Sequence, residues 1–260
     1  MNNILNDIPI VAIKPISFIL VLLICFTLEL NFSIFKHEYK KRLIINFSLL
    51  FFSILTIKFI FPHDLVLSFQ SSLLPITLSS LPFTWGLILT VLIFDFAIYW
   101  QHRLFHIIPI FWLFHKIHHS DKAMDLSSGF RFHPVEIYLS ASYKALLIFI
   151  LAPSLDQYII YETILFSMAI FNHSNMRLTS KLDHILRYFL VTPSMHYPHH
   201  HPDRKNTNSN YGNFLSLWDR LFSSYNNANT KEFGLENIPK KSAESFKYVL
   251  FTFLKPKNKT

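Results

Sequence analysis

The stretch PFTWGLILTVLIFDFAIYWQHRLFHIIPIFWLFHKIHHS, residues 82–120, decides the fold class. Pro82 to Trp100 is an unbroken apolar run of membrane-spanning length, and it leads directly into His102. Asp95, Tyr99, His102 and His106 follow one another at i, i+4, i+7 and i+11, a single stripe on a helix. Burying a carboxylate at that depth is costly unless it has a partner. Asp95 is therefore either the group that orients a histidine of the same stripe from one or two turns away, or a hydrogen-bonding partner for another helix.

Upstream lie two more runs of spanning length, Ile16–Phe32 and Leu43–Phe61, the second with Lys58 near enough to its end to snorkel. The first lacks a basic leader and a small-residue cleavage site, so it reads as a retained helix. Lys36, Lys40, Lys41 and Arg42 separate these two runs, whereas residues 63–81 contain no Lys or Arg. The positive-inside bias then places 36–42 in the cytoplasm and 63–81 outside, and the third run returns to the cytoplasm at His102.

Downstream, Ile137–Leu151 and Tyr158–Phe171 are shorter apolar runs flanking Ala152–Pro153–Ser154–Leu155. At 1.5 Å per residue each covers roughly 21–23 Å, so this hairpin either enters without fully crossing or spans a thinned region. Lys144 and Glu162 stand equally far from Pro153 and hence at similar depth. They either pair or snorkel independently. From Ser242 to Leu254 Lys alternates with Phe, Tyr, Val and Leu, the pattern of an amphipathic helix on headgroups.

The composition agrees. Of 260 residues 51% are apolar and only 15% charged, against about 25% charged in soluble domains. The net charge of +8 is read as cationic loops facing anionic headgroups, since no nucleic-acid-binding module is recognisable. Cys25, the single cysteine, excludes an intramolecular disulfide and a cysteine-based zinc site. The expected architecture is an all-α integral membrane protein. About four transmembrane or re-entrant helices support a cytoplasmic helical cap that carries the histidine cluster. The chain divides into a transmembrane hairpin with its outside loop (1–81), a catalytic domain (82–225) and an interfacial tail (226–260).

Fourteen histidines in so uncharged a chain need a reason, and their positions supply it. His102 and His106 form H-x-x-x-H. His115, His118 and His119 form H-x-x-H-H, and His196, His199 and His200 repeat it. On a helix, i, i+3 and i+4 share a face, so each cluster can aim several imidazoles at one locus. Neutral imidazole suits Fe, Zn, Cu or Ni. Eight such nitrogens exceed one tetrahedral zinc and suit two metals with positions left open for O2.

With these boxes in place, the sequence resembles the fatty acid hydroxylase / sterol desaturase superfamily of membrane di-iron enzymes. The matching segments are DFAIYWQHRLFH (95–106), FWLFHKIHHS (111–120), FRFHPVE (130–136), NHSN (172–175), TPSMHYPHH (192–200) and NYGNFLSLWDRLF (210–222). The resemblance implies that His102, His106, His115, His118, His119, His196, His199 and His200 are iron ligands, with His173 completing the shell. It puts His133 beside the site, as a ligand or as part of its wall; His133 and, from the stripe on the third run, Asp95 are the residues expected to be catalytic there. Met195 stands where relatives often carry another histidine. Asn210, Tyr211, Trp218 and Asp219 are expected to organise the cap, and His37, His63 and His184 to be surface or interface residues.

What the resemblance further implies is O2-dependent hydroxylation or desaturation of a lipid C–H bond at two Fe ions. The substrate is a membrane lipid such as a fatty acyl, alkyl-ether or sterol-like chain. With no fused cytochrome b5 domain, electrons come from a separate cytochrome b5- or ferredoxin-type donor. The membrane is a bacterial inner membrane, or the endoplasmic reticulum in a eukaryote. Two other readings use the same residues: a zinc-dependent membrane hydrolase, and a non-enzymatic membrane metal transporter or sensor. The first lacks H-E-x-x-H and H-x-x-E-H, and the second expects a site near the bilayer midplane.

Overall fold

A computed structural model of the chain describes residues 10–35, 40–60 and 74–251. Lys36, His37, His63, most of the 63–81 loop and the end of the tail beyond Phe251 lie outside the described residues. Among the described residues the chain is helices and turns, with two isolated bridges and no strand. The elements are α1 (Ile10–Phe32), α2 (Lys40–Ile60), α3 (Phe83–Ile107), α4 (Pro109–His115), α5 (Pro134–Leu151) and α6 (Leu155–His173). Six short helices follow: α7 (Ser180–Leu186), α8 (Pro193–His196), α9 (Arg204–Thr207), α10 (Leu217–Leu221), α11 (Lys240–Ala243) and α12 (Phe246–Phe251). Within α1, α2, α3 and α5 lie four segments long and apolar enough to cross a membrane, and the chain is a membrane protein.

The α5–α6 hairpin is longer than its apolar runs suggest, because Pro134 and Leu155 start the two helices at 18 and 19 residues. Ala152 ends α5 in the left-handed region at φ 41°, and Ser154 caps α6 in a reciprocal box with Gln157. The amide of Ser79, just ahead of α3, donates to Ala152 O at 3.1 Å. The hairpin turn thus reaches the end of the molecule where α3 begins, well past the shallow entry of one sequence reading. α6 is the more polar of the two, with Gln157, Glu162 and Asn172 buried against its neighbours. Lys144 and Glu162 do pair, Nζ to Oε1 at 2.6 Å.

At the other end, the segment 117–131 is pinned to α2 by buried charge. Arg42 donates from Nε to Asp121 Oδ1 at 2.6 Å, from Nη2 to Asp121 Oδ2 at 2.8 Å, and from Nη1 to Asp125. Asn46 donates to Asp121 and Ser127 and accepts from Arg131 Nη1 at 2.8 Å. Arg131 also donates to Ile117 O at 3.0 Å and to Ala243 O at 2.6 Å. Glu29 of α1 receives the amides of Leu126 and Asn175, at 2.7 and 2.5 Å. Every charge here is met, as burial demands.

The tail differs from a single helix on headgroups. It breaks between α11 and α12, and Val249 is fully buried against Ile45, Leu49 and Ile117. Part of its apolar surface is used inside the protein, while Phe251 is exposed.

Candidate metal centre

Each histidine box sits where an element ends. α3 carries His102 and His106 on its last turns, α4 ends at His115, and a 3₁₀ turn follows with His118 and His119. α6 ends at His173. Thr192 and Pro193 start α8, which ends at His196, and a second 3₁₀ turn holds His199 and His200. The nine histidines singled out in the sequence fall into two groups, His102, His106, His115, His119 and His199 in one, and His118, His173, His196 and His200 in the other. Within each group the candidate ligand atoms lie within 4.8 Å of one another.

The boxes do not each serve one locus. In both H-x-x-H-H units the first and last histidines join one group and the middle one joins the other. The i and i+4 rings of each unit point to one group and the i+3 ring to the other, across a break where an α-helix gives way to a 3₁₀ turn. Each unit therefore ties the two groups together.

The nitrogen geometry is that of ligands. His102 Nδ1 donates to Tyr211 O at 2.8 Å, His199 Nδ1 to Ser209 O at 2.6 Å, and His173 Nδ1 to Ala169 O at 2.7 Å. His115 Nδ1 donates to Glu136 Oε1 at 2.6 Å, and His106 Nδ1 lies 3.3 Å from Asn208 Oδ1. A proton held on Nδ1 leaves a lone pair on Nε2. Yet His102 and His199 bring their Nε2 atoms to 2.9 Å, and His106 and His115 to 3.1 Å. Lone pairs facing at that distance repel unless a cation draws them together.

The remaining Nε2 pairs, His115–His119, His118–His173, His173–His196 and His196–His200, lie at 3.1–3.2 Å. With metal–nitrogen bonds of roughly 2.1 Å, ligands at about 90° stand about 3.0 Å apart and tetrahedral ones about 3.4 Å. The spacing fits five- or six-coordinate metals better than tetrahedral zinc, and a five-histidine group fits zinc poorly for the same reason. These residues fit a pair of metal ions.

Burial pushes the His115 imidazole from an ordinary 6.5 down to about 3, and with the neighbouring rings holds His118, His119, His196, His199 and His200 well below it. All are neutral near neutrality, the form that binds metal. The linkage has one sign. Below pH 6.5 the unfolded chain takes up protons that the folded chain refuses, so stability is full above 6.5 and drains away as pH falls toward 3. The thermal midpoint of the metal-free protein in detergent is expected to drop steadily over that window. A midpoint independent of pH there would contradict it.

Two site residues named from the sequence stand elsewhere. The carboxylate of Asp95 accepts from the amides of Phe214 and Leu215, at 3.2 and 3.1 Å, and from Trp218 Nε1 at 2.8 Å. It is bound to the 210–222 segment and not to a histidine. His133 lies outside both groups. Its Nδ1 accepts from the Val135 amide and caps α5, and its Nε2 meets Leu250 O at 3.1 Å. Asp219 clamps the Tyr211 and Gly212 amides at 2.7 and 2.9 Å, which sets the carbonyl that holds His102.

Glu136, Asn208 and the carbonyls of Ala169, Ser209 and Tyr211 have no place in the sequence reading of the site. The one readable sign was Glu136, a lone carboxylate at the start of an apolar helix; carbonyls leave no trace in a sequence. Replacing Glu136 with Gln keeps an acceptor for His115, whereas Ala leaves its N–H unmet. Metal affinity is expected to fall about 10–100-fold in Glu136→Ala and less in Glu136→Gln, measured by chelator competition.

Beside the histidines lies a cavity of about 190 Å³ between α2, α3, α5 and α6. His102, His118 and His173 line one part of it, Leu50, Phe130 and Phe166 the rest. A Cβ on Gly129 would stand 2.9 Å from Ala169 O, so only glycine lets this wall approach α6.

The model of a family described as fatty acid hydroxylase matches residues 87–224. Among curated proteins, the chain is 33% identical over 144 residues to an alkylglycerol monooxygenase of Xenopus tropicalis, covering 55% of this chain and 31% of that one. It is 27% identical over 147 residues to the ornithine lipid hydroxylase OlsE of Rhizobium tropici, 56% and 43% of the two chains. With a Delta(7)-sterol 5(6)-desaturase of Eremothecium gossypii it shares 28% over 135 residues, 52% and 36%. The matches thus span less than half the length of these relatives. No solved structure matches the chain.

Proposed function

Because the chain belongs to the fatty acid hydroxylase family, we propose that it is a membrane di-iron oxygenase that hydroxylates or desaturates a C–H bond of a lipid, with O2 and electrons from a separate donor. The observation that carries this reading is the convergence of nine Nε2 atoms into groups of five and four beside an apolar cavity among the spans. Two irons held there would supply the activation of O2.

The protein's own part is distinct. The nine imidazoles hold the pair, and Glu136, Asn208 and three carbonyls orient five of the rings so that lone pairs face inward. The cavity admits a hydrocarbon chain and excludes water. Leu50, Phe130 and Phe166 offer no polar group to it; apart from the histidines its polar lining is Ser53, Lys144, Asn213 and the pair Gln101 and Ser140, bonded at 3.2 Å. The similarity to an alkylglycerol monooxygenase, an ornithine lipid hydroxylase and a sterol desaturase supports a membrane lipid as the substrate. A cytoplasmic position for the site is supported by Lys40, Lys41 and Arg42. They start α2, and Arg42 reaches Asp121, two residues from His119.

The test is lipid mass spectrometry of membranes from cells expressing the chain or its His119→Ala variant, grown under 16O2 or 18O2. A lipid that gains one oxygen, heavier by two mass units under 18O2 and absent from the variant, is expected for hydroxylation. Loss of two hydrogens without label marks desaturation. Lipid profiles identical with and without the functional chain would overturn the proposal.

A further inference from the structure

Beyond the four apolar spans, the chain carries an apolar surface that none of them explains. Leu182, Ile185, Tyr188 and Phe189 on α7 and its extension, and Leu217 and Leu221 on α10, are all exposed, Phe189 at 67% and Leu221 at 61%. The two segments are one body. Leu190 bridges Leu215, Val191 N donates to Phe214 O at 2.9 Å, Ser216 N to Phe189 O at 3.1 Å, and Arg220 Nη2 to Arg187 O at 2.6 Å.

Its depth can be read against α3. The body hangs on Asp95, which takes the Phe214 and Leu215 amides and the Trp218 indole. Phe96 packs its ring on Trp218 at 5.1 Å and on Phe222 at 5.9 Å. At 1.5 Å per residue, Asp95 lies about 8 Å inside the Trp100 end of the apolar run of α3, within the span. The chain enters from the level of the α1 terminus, where Arg177 N donates to Phe32 O at 2.9 Å. It therefore descends along α7 toward the bilayer interior, and its apolar surface continues the lipid-facing side of α3, where Leu89 and Leu92 are exposed.

Two further features suit lipid. Non-helical backbone at membrane depth must have its polar groups met within the protein. The amides of Arg187, Tyr188, Phe189, Leu190 and Val191 all donate to carbonyls. Of the cations, Lys181 at the start of α7, nearest the level where the segment enters, is exposed, and the two deeper ones are turned inward. Arg187 binds Asp183, Ser194 and Asn227, and Arg220 lies 4.1 Å over the Tyr225 ring and 5.4 Å from Tyr188. On the exposed face they would repel hydrocarbon.

We infer that α7 with its extension and α10 form a monotopic foot immersed in the bilayer, in contact with lipid acyl chains, on the histidine-bearing side of the protein. The foot goes beyond the oxygenase reading and stands or falls without it.

The experiment uses the full chain with Cys25→Ser, carrying one nitroxide at Phe189→Cys, Leu217→Cys or Leu221→Cys. The chain is reconstituted in phosphatidylcholine/phosphatidylglycerol vesicles, and labels that alter detergent elution are discarded. Controls are Leu92→Cys, on the lipid side of α3, and Lys231→Cys, on an exposed loop. Collision with O2 relative to a water-soluble paramagnetic agent is expected to be several-fold higher at the three foot positions than at residue 231, and similar to residue 92. Ratios like that of residue 231 would overturn the proposal by placing the foot in water. Protection from both agents with dipolar broadening would overturn it in favour of a second copy of the chain.

Discussion

Alanine at His119 or at His200 is expected to lower O2-dependent product formation by more than about 100-fold, beyond what loss of an outer partner costs. The two residues belong to different groups, so each substitution strikes a different metal position. His200 leaves three imidazoles behind in its group, and His119 leaves four. If both positions are needed, the two variants are equally inactive despite this unequal residue of ligands, and the double variant is no worse than either. His184 is the internal control: it is exposed and belongs to neither group, and His184→Ala is expected to retain full activity. Product formation per milligram of membrane protein, with chain abundance measured alongside, checks all four. Substantial activity in His119→Ala would mean that the five-histidine group is not part of the reaction.

The second large effect is on stability. Arg42→Met removes one buried cation and leaves Asp121 and Asp125 facing each other without it. Burial works against the Asp121 carboxylate, and the Arg42 and Arg131 guanidinium groups overcome it, holding the group well below the usual carboxylate range. Breaking such a pair from one side costs roughly 3–5 kcal/mol. The thermal midpoint in detergent is expected to fall sharply, and metal retention with it, because the same segment carries His118 and His119. Arg42→Lys keeps the charge but loses the forked contact, and is expected to lie between. An unchanged midpoint in Arg42→Met would show that the cluster contributes nothing to stability.

Much of this was legible because it rests on periodicity. The helical class, the spans and the histidine positions follow from apolar run length and from i, i+3, i+4 spacing. Other parts are set by tertiary contact. Asp95 lay on the right stripe to serve a histidine, yet its partners are amides more than a hundred residues away. The division of each H-x-x-H-H unit between two groups depends on where each helix breaks into a turn and on which rings face it from other elements, which spacing alone does not reveal. The tail shows the same limit: alternating Lys and apolar residues suit a headgroup surface, but Val249 and Phe246 find α2 first. Of the two alternatives for Lys144 and Glu162, depth was readable and pairing was not.

The central claim is that the two histidine groups hold two irons. Its most direct test is metal analysis of the detergent-purified chain after anaerobic loading with Fe(II), with the His118→Ala/His199→Ala double variant treated identically. About two irons per chain, lost in the variant, is the expected result. Zinc alone, with no iron retained under those conditions, would contradict the di-iron account and bring a zinc-dependent hydrolase to the front.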